Sequence, residues 1–149
     1  MISRLPVTMA LHGLLTSATG LPVGRGTMPA RATPPYYVLY SLDTHTSGAP
    51  YSDLNEDASF VYQLTSVSGP NPAAGIPAGL EDQTEWLADN ARAAILGRDP
   101  TTGLWLHALT IPGARVICRD LDIEAGGTSD PADGIMSYVQ RFRFDLTSA

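Results

Sequence analysis

Between Ile135 and Leu146 the side chains alternate in character. Met136, Tyr138, Phe142, Phe144 and Leu146 fall on one side of an extended chain, and Ser137, Arg141, Arg143 and Asp145 on the other. A period of two marks a strand with one face packed and the other wet or kept for an interface. Two further segments read as strands. Tyr36 to Leu42 is aromatic and β-branched with apolar residues on both faces, as an internal strand requires. Ala58 to Val67 places Phe60, Tyr62 and Leu64 on one face and Val61, Gln63, Thr65 and Val67 on the other. Ala114 to Ile123 completes four main strands, and Leu104 to Leu109 is expected to add a short one. The aromatics Tyr36, Tyr37, Tyr40, Phe60, Tyr62, Tyr138, Phe142 and Phe144 all lie on these strands, where they read as core.

Two segments carry helical periodicity. From Ser3 to Ala18, Val7, Leu11, Leu14, Leu15 and Ala18 share a face, Ser3 can cap, Pro6 is tolerated in a first turn, and Gly20 stops the helix. From Leu80 to Leu96, Leu80, Leu87, Ala91, Ala94 and Ile95 form a stripe with Trp86 on its border. Glu81, Asp82 and Glu85 near its start and Arg92 and Arg98 near its end match the helix dipole. The Pro- and Gly-rich or polar stretches at about 21–35, 43–57, 69–79 and 124–134 are expected to be loops. The expected order is therefore α-β-β-α-β-β, one α+β domain spanning residues 1–149.

Composition narrows the chemistry. The 149 residues are 44% hydrophobic and 16% charged, within the range of one folded domain. All 9 basic residues are arginines. Without lysine there is no Schiff-base amine, no phosphate-loop lysine and no lysine general base. The net charge of −6 disfavours binding nucleic acid through phosphate neutralisation. Cys118 is alone, which precludes an internal disulfide, and its setting in Arg115-Val116-Ile117-Cys118 predicts a buried strand position. The first residues lack a basic region followed by an apolar run, and no window approaches about 18 continuous apolar residues, so neither a secretion signal nor a membrane span is expected.

No catalytic, cofactor-binding or metal-binding residue emerges. His12, His45 and His107 fall in different elements, without a second ligand at zinc-site spacing. Asp120, Asp122 and Glu124 would share a face if the third main strand ran through them, with Asp130 and Asp133 following, a set that could hold Mg²⁺ or Ca²⁺. The calcium-loop spacing is absent, and a solvated strand end is the favoured reading. Gly24-Arg25-Gly26 lacks the third glycine and the strand-to-helix setting of a dinucleotide fingerprint, and no Gly-x-Ser-x-Gly elbow occurs.

Taken in order, the segments resemble the tail terminator (tail completion) proteins of long-tailed bacteriophages, especially those infecting actinobacteria. The resemblance lies in the helix around Ala10 to Leu15 and the strands Pro35 to Tyr40 and Phe60 to Val67. It continues in the helix at Trp86 to Arg92 and the strand Tyr138 to Phe144. It covers nearly the whole chain through the succession of elements, not through one specific motif; the 69–79 and 124–134 loops depart from it.

The resemblance implies a mixed or antiparallel four-stranded sheet with two helices packed on one face, and six copies closing a homo-oligomeric ring. Such a ring caps the major tail tube protein at the head-proximal end of the virion, after assembly in the host cytoplasm, and offers a surface to head–tail connector or neck proteins. DNA would pass through the lumen without specific binding. Six copies would carry about −36, and a share of that charge in the 43–57 and 124–134 loops would repel DNA. Two alternatives stand beside it. One is another connector or neck protein; the other is a small ligand-binding or metal-dependent α+β enzyme, which would carry a deep pocket lined by Tyr and Arg.

Overall fold

The structure is a computed structural model that describes residues 1–47, 55–130 and 132–149. Helix α1 (Arg4–Thr19) is followed by strands β1 (Val23–Arg25), β2 (Tyr36–Ser47) and β3 (Asp57–Ser68), then helix α2 (Glu81–Leu96) and strands β4 (Ala114–Asp130) and β5 (Ile135–Ser148). The strands form one sheet in the order β1-β2-β3-β5-β4, parallel between β1 and β2 and antiparallel elsewhere.

Four of these strands match the expected ones; the fifth corrects the count and the order, which becomes α-β-β-β-α-β-β. β1 lies in the 21–35 stretch, expected as a loop. Three residues carry no readable period, and β1 forms because the edge of β2 offers it backbone partners. Val23 pairs with Tyr37 and Arg25 with Leu39, flanked by Tyr37 N donating to Pro22 O (2.9 Å) and Gly26 N to Leu39 O (2.9 Å). β2 also runs on to Ser47, five residues past its expected end, because a bulge between Ser41 and Thr44 lets it keep pace with β3. Positions 48–54 of the expected 43–57 loop lie outside the described residues. In the 69–79 stretch a 3₁₀ turn (Pro72–Ala74) interrupts an otherwise irregular loop.

The expected loop at 124–134 is likewise corrected. β4 continues through Asp130, paired with β5 as far as Asp130–Ile135, and absorbs its glycines by bulging between Glu124 and Gly126. Leu104–Leu109 is not a strand: only a single bridge, Arg98–Trp105, forms there. Cys118 is exposed, because the bulge at Val116/Cys118 turns it beside Asp145 on the helix-free face.

Both helices pack on one sheet face. Val7, Leu11 and Leu15 of α1 and Leu87, Ala91 and Ile95 of α2 are buried against Tyr37, Leu39, Phe60, Tyr62, Leu64, Phe142, Phe144 and Leu146. Gln140 occupies the same face, fully buried, and its amide donates to Ala88 O (3.2 Å). α1 ends as expected, at Gly20 in the left-handed region (φ 69°) with its N–H on Thr16 O, but Ser3 makes no side-chain cap. On the opposite face a smaller cluster, Tyr36, Val38 and Val67 with Ala32 and Ile135, is covered by the chain before β2.

The buried tyrosines are anchored at their polar ends. The Tyr37 hydroxyl donates to Leu87 O (2.7 Å), and the Tyr62 and Thr8 hydroxyls share a hydrogen bond (2.8 Å). Burial pushes the Tyr37 phenol far above the ordinary tyrosine range, and burial also raises Tyr62 despite the lowering effect of the Thr8 bond and the Arg4 charge. Raised acids favour the fold while neutral. Their contribution is whole below about pH 10, where unfolded tyrosine ionises, and is lost as pH climbs through the higher folded values. Phenolate absorbance from Tyr37 and Tyr62 should therefore appear together with loss of far-ultraviolet circular dichroism. Ionisation of all 6 tyrosines in one step near pH 10, with the fold intact, would contradict this.

Candidate functional site

The three histidines stay apart. His12 lies on α1 with Nε2 2.8 Å from Val23 O, His45 is exposed on β2, and His107 is exposed in the connection after α2. Asp120, Asp122 and Glu124 do not share a face, which corrects the expectation. The bulge between Leu121 and Ile123 breaks the period of two. Asp120 lies opposite Arg143 on the helix-free face and pairs with it (3.3 Å), whereas Glu124 lies opposite Gln140 on the helix side and accepts its amide (3.0 Å). Among the described residues no group of three His, Cys, Asp or Glu is arranged to hold a metal, and no helix is long and apolar enough to cross a membrane.

A different constellation forms where α2 ends. The chain leaves the helix at Gly97 and turns through 99–103, held by Asp99, whose carboxylate accepts from Thr101 N (2.7 Å) and Thr102 N (3.2 Å). It returns with Leu106 N donating to Gly97 O (2.9 Å). This turn presents the Trp105 indole to two guanidinium groups, Arg98 at 3.9 Å and Arg119 at 4.7 Å from the ring centroid. Stacking on an indole face favours arginine cations.

Arg119 comes from β4 and is only 6% exposed. Its Nη1 donates to Ile95 O (3.0 Å), placing a cation at the negative C-terminal end of α2. Its Nε is buried without a hydrogen-bond partner among the described residues. Among the described residues no carboxylate forms an ion pair with Arg98, Arg115 or Arg119. Burial, followed by repulsion from Arg98, lowers Arg119 to about 10, so it remains charged at neutral pH.

Arg119, Arg115 and Trp105 line an open groove of about 430 Å³ together with Leu104, Leu109 and Ile111. The groove borders β4, an edge strand of the sheet. Among the described residues no tyrosine lines it; a separate open cleft at Thr8, Arg25, Leu39 and Tyr40 is where a tyrosine and an arginine meet. At the other end of α2, Glu81, Asp82, Glu85 and Asp89 are exposed. Glu124, Glu85 and Asp89 surround Tyr138, whose phenol is raised by burial first and then by these three carboxylates.

Residue type and spacing assign Arg98 to the helix dipole and Cys118 to the core, and do not single out Trp105. The spacing of Arg115 and Arg119 gave no usable signal, because the bulge at Val116/Cys118 sets Arg115, opposite Thr147, and Arg119, opposite Phe144, on different faces of β4. The convergence of Arg98, Trp105 and Arg119 depends on the 97–106 turn and is tertiary.

No family model matches this sequence, and none of the curated proteins matches it either. Among solved structures, a chain in one described as the virion of the native gene transfer agent particle superposes on it with a TM-score of 0.64. The two are 14% identical, and the match covers 97% of this chain and 100% of that one, so the two share a fold.

Proposed function

We propose that this chain is a structural virion protein, without catalytic activity, that assembles as a closed ring of six copies. The ring caps the tail tube, ends its polymerisation and offers the surface that joins tail to head. The observation that carries this reading is the fold shared, over 97% of this chain and 100% of the other, with a chain of a virion particle. The order of the helices and long strands supports it, because it follows the succession on which the tail terminator resemblance rests. A ring of identical subunits needs two different surfaces per copy. A long free edge at β4 and a three-residue strand at the opposite edge supply such an asymmetry. The net charge of −6 per copy suits a lumen that passes DNA without holding it.

Purified chain added to polymerising tail tube protein tests the proposal. Tube growth should stop at substoichiometric chain, with the chain found at one tube end by electron microscopy. Unchanged tube length, or decoration along the tube wall, would rule the proposal out. The neighbouring reading, a head–tail connector, rests on the same virion fold and predicts no effect on tube growth but binding to a connector or portal ring.

A further inference from the structure

We infer that the groove lined by Trp105, Arg115 and Arg119, with Arg98 stacked on the Trp105 ring, is a subunit contact that receives the acidic first turns of α2 from a second copy of this chain. The inference rests on the ring proposed above and names one of its interfaces.

The groove contains a cation for which the described residues provide no charged partner. Among the described residues the Nε of the almost wholly buried Arg119 has no acceptor, Arg98 adds like charge on the same Trp105 ring, and no carboxylate pairs with Arg98, Arg115 or Arg119. The Ile95 carbonyl satisfies one Nη only. An incoming carboxylate meets the exposed Arg98 guanidinium, from whose planar donor fork it can accept at two points, and the Arg119 charge on the same tryptophan ring adds to the attraction. The groove walls are largely apolar elsewhere, and Leu104 in its lining is 69% exposed.

The same molecule carries the complement. Glu81, Asp82 and Glu85 are exposed at the start of α2, flanked by Leu80 (50% exposed) and Trp86 (57% exposed). They cannot serve their own groove. Glu85 precedes Ile95 by ten residues, about 15 Å along the helix axis. That exceeds the screening length of about 8 Å at physiological salt. Opposite charges fixed at the two ends of one rigid helix are satisfied only between molecules. Used once per interface, the contact propagates head to tail and closes as a ring; used twice, it would give a two-fold dimer.

Sedimentation and native mass spectrometry of the full chain test this, with far-ultraviolet circular dichroism confirming that each variant folds. The wild-type chain should self-associate at low salt and dissociate as salt rises. Arg98→Glu with Arg115→Glu, both exposed side chains, should weaken association at least about tenfold, and so should Asp82→Arg with Glu85→Arg. Combining the four substitutions in one chain should restore it. A wild-type chain that stays monomeric at all salts, variants that associate as wild type does, or no rescue in the combined chain would each overturn the contact. Arginine variants that keep self-association but lose binding to an acidic segment of another protein would overturn it as well. Rescue in a dimer would uphold the contact and reject the ring. Tube capping that ignores all four substitutions would uphold the ring and reject the contact.

Discussion

Phe144→Ala lowers the free energy of unfolding by about 4 kcal/mol, read as a lower urea midpoint at unchanged slope. Phe144 is 1% exposed on β5, opposite Phe60 of β3, and its ring meets Tyr62 edge to face with centroids 5.9 Å apart and planes at 73°. The substitution removes a full ring from the layer between sheet and helices, and the edge-to-face contact adds about 0.5–1.5 kcal/mol beyond the area lost. Rigid strands on either side cannot collapse into the space. Phe144→Leu, which keeps most of the volume, should cost about 1 kcal/mol. Equal losses for the two variants would show that the site tolerates a void and that the aromatic layer is not close-packed.

Gly79→Ala should cost about 2 kcal/mol, a large penalty for one methyl group on the surface side of the domain. Gly79 brings the chain from the 69–79 loop into α2 between the end of β3 and the start of β5, with its N–H on Gly134 O (2.6 Å). A Cβ there would lie 2.5 Å from Ser68 O, 2.9 Å from Met136 N and 3.0 Å from Gly134 O. All three are backbone atoms of paired or turning chain, so none can step aside alone. Gly13, in the middle of α1, is the counter-case: its Cβ would meet nothing within 4 Å. Gly13→Ala should therefore raise stability by about 0.5–1 kcal/mol through helix propensity. Chemical denaturation of the two variants side by side checks both signs.

Much of this architecture was legible because periodicity is a local property. α1 and α2 begin and end within about one residue of where their stripes and stop signals place them, which is the normal scatter of helix ends. β5 shows its alternation because its neighbours β3 and β4 keep one face on the core and leave the other to Arg141, Arg143 and Asp145. The features misplaced by local pattern all depend on a partner strand. β1 exists only because the edge of β2 offers hydrogen bonds to three residues, and β4 runs through a glycine-rich acidic stretch only because β5 lies beside it. Its bulges shift the faces of everything beyond them, which separates Asp120 from Glu124 and exposes Cys118.

Residue type and spacing alone therefore account for the long elements, most of the aromatic core (Tyr40, expected there, is exposed) and the lysine-free, acidic character of the chain. The strand count, the faces of the β4 carboxylates and the arginine–tryptophan groove came instead from the folded chain. Bulges, edge pairing and a turn returning Trp105 to Arg98 and Arg119 arise from contacts between segments, and no local period encodes them.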